Sequence, residues 1–73
     1  MKSDLYESNH LTERQCEVLT LLALGKKTRE VASILNISIR TVKFHKYRIM
    51  DALDAASFTD LIRYAVRNRL IGA

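Results

Sequence analysis

The 73-residue sequence has no proline, no tryptophan, two glycines and a single cysteine. Because proline and glycine interrupt helices, a chain this poor in both and rich in Leu, Ile, Val and Ala is expected to be all-helical. One cysteine excludes an intramolecular disulfide and favours a reducing compartment. No apolar run is long enough to span a bilayer. The residues after Met1 include neither the long apolar run nor the small-residue cleavage site of a signal peptide, so we expect none. The sequence therefore predicts one small intracellular domain without a membrane partner.

Acidic residues are scarce where the basic residues are densest. Between Lys26 and Arg48 the sequence has seven basic residues and one acid, Glu30, a net charge of +6 in a chain whose total is +4. Positive charge gathered in one part of a small domain is typical of a protein that binds a polyanion. The alternative is a solvated basic face without a partner, and charge alone does not decide between the two.

Capping residues divide the chain into four predicted helices. Residues 1–10 are polar and aperiodic and are predicted to be a flexible tail, with the domain over residues 11–73. Hydroxyl side chains suited to N-caps precede the helices, and residues that tolerate positive φ, or a glycine stop, follow three of them. The predicted N-caps are Thr12, Thr28, Ser38 and Ser57, with capping boxes to Gln15 and Asp60, and the predicted stops are Gly25, Asn36 and Gly72.

The third helix, predicted over residues 39–53, has two different faces. Its apolar stripe comprises Ile39, Val42, Ile49 and Leu53, and its other face carries Arg40, Lys43, Phe44, Lys46 and Tyr47. Only residues 36–38 separate it from the second helix. Two helices joined by a three-residue turn, with the second basic on its open face, form the pattern of a helix-turn-helix. Such a helix fits the major groove of B-DNA.

An ordered set of short motifs extends this pattern over nearly the whole chain, from Leu11 to Ile71. The set comprises Leu11-Thr12-Glu13-Arg14, Glu17-Val18-Leu19, Leu24-Gly25, Glu30-Val31-Ala32, Leu35, Ile37-Ser38, Thr41-Val42-Lys43, His45, Ile49 and Leu53. In this order and spacing it resembles the DNA-binding domain of LuxR/FixJ/GerE-type regulators. The chain departs from that family at Gln15, Ala52, Ala55 and Phe58, mostly around the fourth helix, where Phe58 is expected to fill space left by Ala55.

The resemblance implies an all-α, four-helix bundle-like domain that binds double-stranded DNA, as the output module of a bacterial response regulator or quorum-sensing activator. It implies a recognition helix at the third position, a dimer helix at the fourth, and RNA polymerase as a partner. By position, base contacts fall on Lys43, Phe44 and Tyr47. Contacts to phosphate, or positions beside them, fall on Thr28, Arg29, Arg40, Thr41, His45, Lys46 and Arg48.

The chemistry of these side chains suits the implied roles, and three of them have an alternative role. The Lys43 ammonium can reach the O6 and N7 acceptors of guanine, and an exposed Phe44 can contact a thymine methyl group. Lys43 could instead bind a phosphate, since most protein–DNA hydrogen bonds go to the backbone. Phe44 and Tyr47 could instead pack on the fourth helix.

Catalysis and metal binding find no support in the sequence. His10 and His45 are far apart, Cys16 lies in another helix, and no nucleophile–base pair or glycine-rich phosphate loop occurs. We therefore expect no enzyme, metal, cofactor or small-molecule ligand. Cys16 is expected to be half exposed, as a packing residue or, alternatively, a redox-sensing thiol.

Two other classes of function remain as alternatives: a protein-interaction module using the fourth helix, and an interfacial membrane helix over residues 39–53. The first leaves the +6 segment unexplained, and the second requires partial unfolding of a small core. The preferred hypothesis is a cytoplasmic, sequence-specific DNA-binding protein. It is a weak dimer through Tyr64 and Arg67, strengthened when two copies occupy adjacent half-sites.

Overall fold

Four α-helices and no strand make up the part of the chain that the computed structural model describes, residues 11–72. They are α1 (Glu13–Ala23), α2 (Thr28–Leu35), α3 (Ile39–Ala52) and α4 (Phe58–Arg67). The predicted all-α, four-helix architecture is confirmed. The predicted tail over residues 1–10 lies outside the described residues.

Three of the four predicted N-caps are present. Thr12 and Gln15 form the full capping box before α1: the Gln15 N–H donates to Thr12 Oγ1 (3.0 Å) and the Thr12 N–H to Gln15 Oε1 (2.9 Å). Ser38 Oγ accepts from the Thr41 N–H at the start of α3 (3.0 Å). Ser57 Oγ accepts from the Asp60 N–H before α4. These hydroxyls satisfy N–H groups that have no partner within the helix.

Two details of the predicted caps are wrong. Lys27, not Thr28, is the N-cap of α2, and the Lys27 N–H donates to the Glu30 carboxylate at 2.7 Å. This hydrogen bond, chiefly, holds the pKa of Glu30 below its usual value. Before α4, the Asp60 carboxylate accepts from the Ala56 N–H (2.9 Å), so Ser57 caps without the reciprocal bond of a capping box. In both cases a carboxylate in the first turn accepts from a backbone N–H at the N-cap or just before it.

Left-handed residues end the helices, as predicted for α1 and α2. Gly25 (φ 96°) follows α1, and Asn36 (φ 57°) follows α2. The predicted stop of α4 at Gly72 is wrong, because α4 ends at Arg67. There the Asn68 side-chain amide donates to the Tyr64 carbonyl (2.9 Å), and Arg69 turns to φ 60°. The Leu70 N–H then returns to the Ala65 carbonyl (2.8 Å).

All four helices contribute to one core. Its fully buried large side chains are Leu19, Ile49, Leu61, Val18, Val31 and Val42. The stripe predicted for α3 is correct at Val42 and Ile49, and Leu53, at the C-cap, is half-buried. It is wrong at Ile39, which is 46% exposed because it is the first residue of α3 and has no preceding helical turn to cover it. On α4, Leu61 and Ala65 are buried, whereas Ile62 and Val66 are only half-buried.

The packing of the core determines which face of α3 is exposed to solvent. The central helix α1 contacts α2, α3 and α4, and α2 packs against α3. Because Val42 and Ile49 are inserted into this core, the rotation of α3 about its axis is determined, and the opposite face of α3 is exposed. Within residues 11–72, no helix has the length and apolar content needed to cross a membrane.

Candidate nucleic-acid interface

The exposed face of α3 gathers five of the predicted contact residues. Arg40, Lys43, Phe44, Tyr47 and Arg48 are all exposed on this helix, opposite the buried Val42 and Ile49. Phe44 is 57% and Tyr47 66% exposed, so neither ring is buried against α4. Three cations and two aromatic rings over little more than two turns form a positively charged ridge. We call these five residues the α3 ridge.

Within the α3 ridge, Phe44 is a local centre of contacts. The Arg48 guanidinium lies over its ring, with Cζ 5.8 Å from the centroid. The His45 ring lies at its edge, with centroids 5.8 Å apart and planes tilted by 59°. A cation at this distance from an aromatic face is attracted by the ring quadrupole. The arrangement places aromatic surface and positive charge side by side.

Lys46 is not part of the open face, where the sequence placed it. It lies four residues after Val42 and three before Ile49, both of which are buried, so it shares their side of the helix. Its side chain is half-buried, and Nζ lies over the ring of Phe58, 5.6 Å from the centroid. A long lysine side chain at the edge of a core extends along apolar surface and keeps its ammonium in water.

The remaining predicted contacts flank the α3 ridge. Thr41 and His45 are half-buried on the side of α3, and the Thr41 and Ser38 hydroxyls are 2.8 Å apart. Thr28, half-buried, and Arg29, exposed, begin α2, which packs against α3. The helix-turn-helix therefore brings the predicted residues onto two adjoining helices.

Two residues beside the α3 ridge were not among the predicted DNA contacts. Phe58 is 39% exposed, and the Lys46 ammonium lies over its ring. That Phe58 fills space left by Ala55 stays a prediction. Asp51 is exposed near the end of α3, four residues after Tyr47, and brings negative charge to this end of the helix. Helical periodicity extended through residue 51 would have placed this acid on the open face.

Cys16 is buried rather than half exposed, since only 7% of its surface is accessible. Burial first, and the Glu13 carboxylate second, raise the pKa of its thiol. A raised pKa leaves less of the reactive thiolate at neutral pH, which argues for a packing role over a redox-sensing one. Among residues 11–72 there is no group of three His, Cys, Asp or Glu side chains that could hold a metal ion.

A groove of about 410 Å³ lies where the end of α3 meets α4. Both residues predicted for dimerisation line it: Tyr64, which is half-buried against the core, and Arg67, which is exposed. Residues of both charges line the groove: the acids Asp54 and Asp60 and the cations Arg63 and Arg67. The dimer contact predicted from the sequence does not include the two acids or Arg63.

Fold and site together define a helix-turn-helix domain whose second helix presents a basic and aromatic face. The family described as "Bacterial regulatory proteins, luxR family" (GerE) matches residues 9–65. The chain belongs to this family of DNA-binding transcription regulators, as the sequence resemblance implied.

Two relatives show the kind of protein in which this domain occurs. The chain is 44% identical over 66 residues to the "Uncharacterized response regulatory protein YgeK" of Escherichia coli (strain K12), covering 89% of this chain and 45% of that protein. It is 40% identical over 70 residues to the "Response regulator protein VraR" of Staphylococcus aureus (strain Mu3 / ATCC 700698), covering 96% of this chain and 32% of that protein. The chain thus spans less than half the length of these relatives.

Proposed function

We propose that the chain is the sequence-specific DNA-binding domain of a bacterial transcription regulator, with α3 in the major groove of double-stranded DNA. Lys43, Phe44 and Tyr47 contact base edges. Thr28, Arg29, Arg40, Thr41, His45, Lys46 and Arg48 contact or flank phosphates. This role is one of binding, without catalysis, a metal or a cofactor. It places the protein in the bacterial cytoplasm, where its DNA lies, with RNA polymerase as the partner that transmits the effect.

The observation that carries this proposal is the α3 ridge. Phe44 and Tyr47 are neighbours on one helix face, 57% and 66% exposed, and an exposed apolar patch beside cations is typical of an interaction surface. DNA offers phosphates for the cations and thymine methyl groups for the rings on the same surface. A membrane-surface role for α3 would require its apolar residues Val42 and Ile49 to leave the core, where they are fully buried. A protein contact through α4 alone would leave the positive charge of the α3 ridge without a partner.

Lys43→Ala is expected to change the base preference of the protein, whereas Lys46→Ala is expected to lower its DNA affinity only. Lys43 is on the exposed face of α3, so its loss should cost about 1–3 kcal/mol of binding free energy and relax the preference at one base pair. Lys46 lies at the flank, beside Phe58, so its loss should weaken binding equally on every sequence. Titrations against a panel of duplexes, each with one changed base pair, measure both effects.

The two substitutions remove the same side chain from the same helix, so each is a control for the other. If both lower affinity without changing the preferred base, Lys43 is a phosphate contact only.

We further propose that two copies bind adjacent half-sites, about one helical turn apart, and touch through the α3–α4 groove. The groove supports this contact because a two-fold interface joins a surface to its own copy, and this surface carries both acids (Asp54, Asp60) and cations (Arg63, Arg67). Its few residues provide less than the roughly 800 Å² per partner of a stable interface. The free protein is therefore expected to be a weak dimer at most. DNA strengthens it by raising the effective concentration.

Tyr64→Ala is expected to reduce cooperativity on a two-site duplex while leaving affinity for a single half-site nearly unchanged. Tyr64 lines the groove on α4, away from the α3 ridge. Sedimentation with and without a two-site duplex, together with titration of one-site and two-site duplexes, separates the two quantities. A tight dimer in free solution, or an equal loss on both duplexes, would place the dimer contact elsewhere.

A further inference from the structure

Phe44 has a structural role that a base contact alone does not explain. The Arg48 guanidinium lies over its ring, with Cζ 5.8 Å from the centroid, and the two residues are one turn apart on α3. Arg40 is also four residues from Phe44, on its other side, yet the stacked arginine is Arg48. Within residues 11–72, no carboxylate is paired with Arg48, although Asp51 lies three residues further on. Among the described residues, the Phe44 ring is the group over which this guanidinium lies.

The surface left on Phe44 is large enough for a second contact. Its side chain remains 57% exposed with Arg48 and His45 beside it. A planar, delocalised guanidinium stacks on an aromatic ring and still directs its N–H groups outward to a phosphate. An arginine already held in this way loses less rotamer entropy when it binds.

We infer that Phe44 is a positioning residue for Arg48 as well as a base contact: its ring holds the guanidinium at the edge of the α3 ridge, ready to bind a DNA phosphate, while its remaining surface meets a thymine 5-methyl group. This inference rests on the proposed function. It assigns Phe44 two separable contributions, one that depends on the methyl group and one that depends on Arg48. The thymine contribution is sequence-specific, and the Arg48 contribution is not.

The two contributions separate on a pair of duplexes. In one, the binding site carries thymine; in the other, deoxyuridine replaces each thymine and removes only the 5-methyl group. Phe44→Leu is expected to reduce the wild-type protein's preference for the thymine duplex, because leucine offers a smaller apolar surface to the methyl group. On the deoxyuridine duplex, where the methyl contribution is absent, Phe44→Leu is still expected to weaken binding by about 2- to 5-fold, the range of an exposed cation–π contact.

A double-mutant cycle on the deoxyuridine duplex tests the coupling. In an Arg48→Ala background, Phe44→Leu should have no further effect, and Arg48→Ala itself should lower the salt slope by about 1. Arg40→Ala is the matched control, since it removes another exposed arginine of α3 from the same distance in sequence. In that background Phe44→Leu should keep its full effect. If the Phe44→Leu factor is the same in both arginine backgrounds, or is absent on deoxyuridine, the positioning role is wrong.

A measurement without DNA keeps the inference distinct from the proposed function. The Phe44 ring current should displace the NMR signals of the Arg48 side-chain protons in the free protein, and Phe44→Leu should return them to ordinary values. Unchanged Arg48 signals would overturn the positioning role. A wild-type protein that binds all duplexes equally would instead overturn the proposed function and leave the Phe44–Arg48 contact in the free protein intact.

Discussion

Val42→Asp is expected to unfold the domain. Val42 is fully buried on α3, and the buried side chains of residues 11–72 are all apolar apart from the Cys16 thiol. A carboxylate there would be desolvated without a partner, which costs several kcal/mol. A domain of this size has a folding free energy of about 4–10 kcal/mol, so most or all of it would be lost. Far-ultraviolet circular dichroism and thermal unfolding measure the result.

Lys43→Asp is the matched control, because it introduces the same residue one position further along the same helix. Lys43 is exposed, so the variant should fold and melt close to the wild-type protein. It should nevertheless lose DNA affinity, since it reverses a charge on the α3 ridge. A well-folded Val42→Asp protein would mean that α3 is rotated about its axis relative to the description given above.

DNA affinity is expected to fall steeply with salt. The basic residues between Lys26 and Arg48 lie on α3 and at or just before the start of α2. About six phosphate contacts per copy give a slope of roughly −5 in log affinity against log salt. Affinity should then fall by about 10³ per copy between 50 and 200 mM salt, and the slope should double for two copies. Titration of a single half-site and of a two-site duplex at four salt concentrations provides both slopes.

Two arginines serve as a matched pair for this measurement. Arg29→Ala should lower the magnitude of the slope by about 1, because Arg29 is exposed at the start of α2 beside α3. Arg14→Ala removes the same charge from α1, where Arg14 pairs with Glu17 at 3.1 Å, and should leave the slope unchanged. A salt-independent affinity would contradict a phosphate-binding role for the basic segment.

Much of the fold could be predicted because its signals are local. A hydroxyl at Ser38, apolar residues at Val42 and Ile49, and Asn36 in the left-handed region determine the turn and the start and rotation of α3. Each of these effects acts within a few residues along the chain. The end of α4 could not be predicted in the same way, because it depends on a side-chain hydrogen bond from Asn68 and a backbone bond from Leu70.

In the candidate site, too, the features set by local sequence could be predicted and those set by tertiary contacts could not. Exposure of Lys43, Phe44 and Tyr47 followed from helical periodicity, whereas Lys46 was placed on the open face although its spacing to Val42 and Ile49 indicates the core side. Its contact with Phe58 joins α3 to α4 across the loop between them, and that proximity is a property of tertiary packing. Burial of Cys16 likewise depends on which helices cover α1.

Selection of binding sites from a pool of random duplexes, carried out at physiological salt, tests the central claim most directly. The proposed function requires enrichment of one short motif, or of two copies of it about one helical turn apart, and the enriched motif should contain a position whose preference is relaxed by Lys43→Ala. A pool that stays random after repeated rounds, although the protein retains DNA at low salt, would contradict sequence-specific recognition by α3.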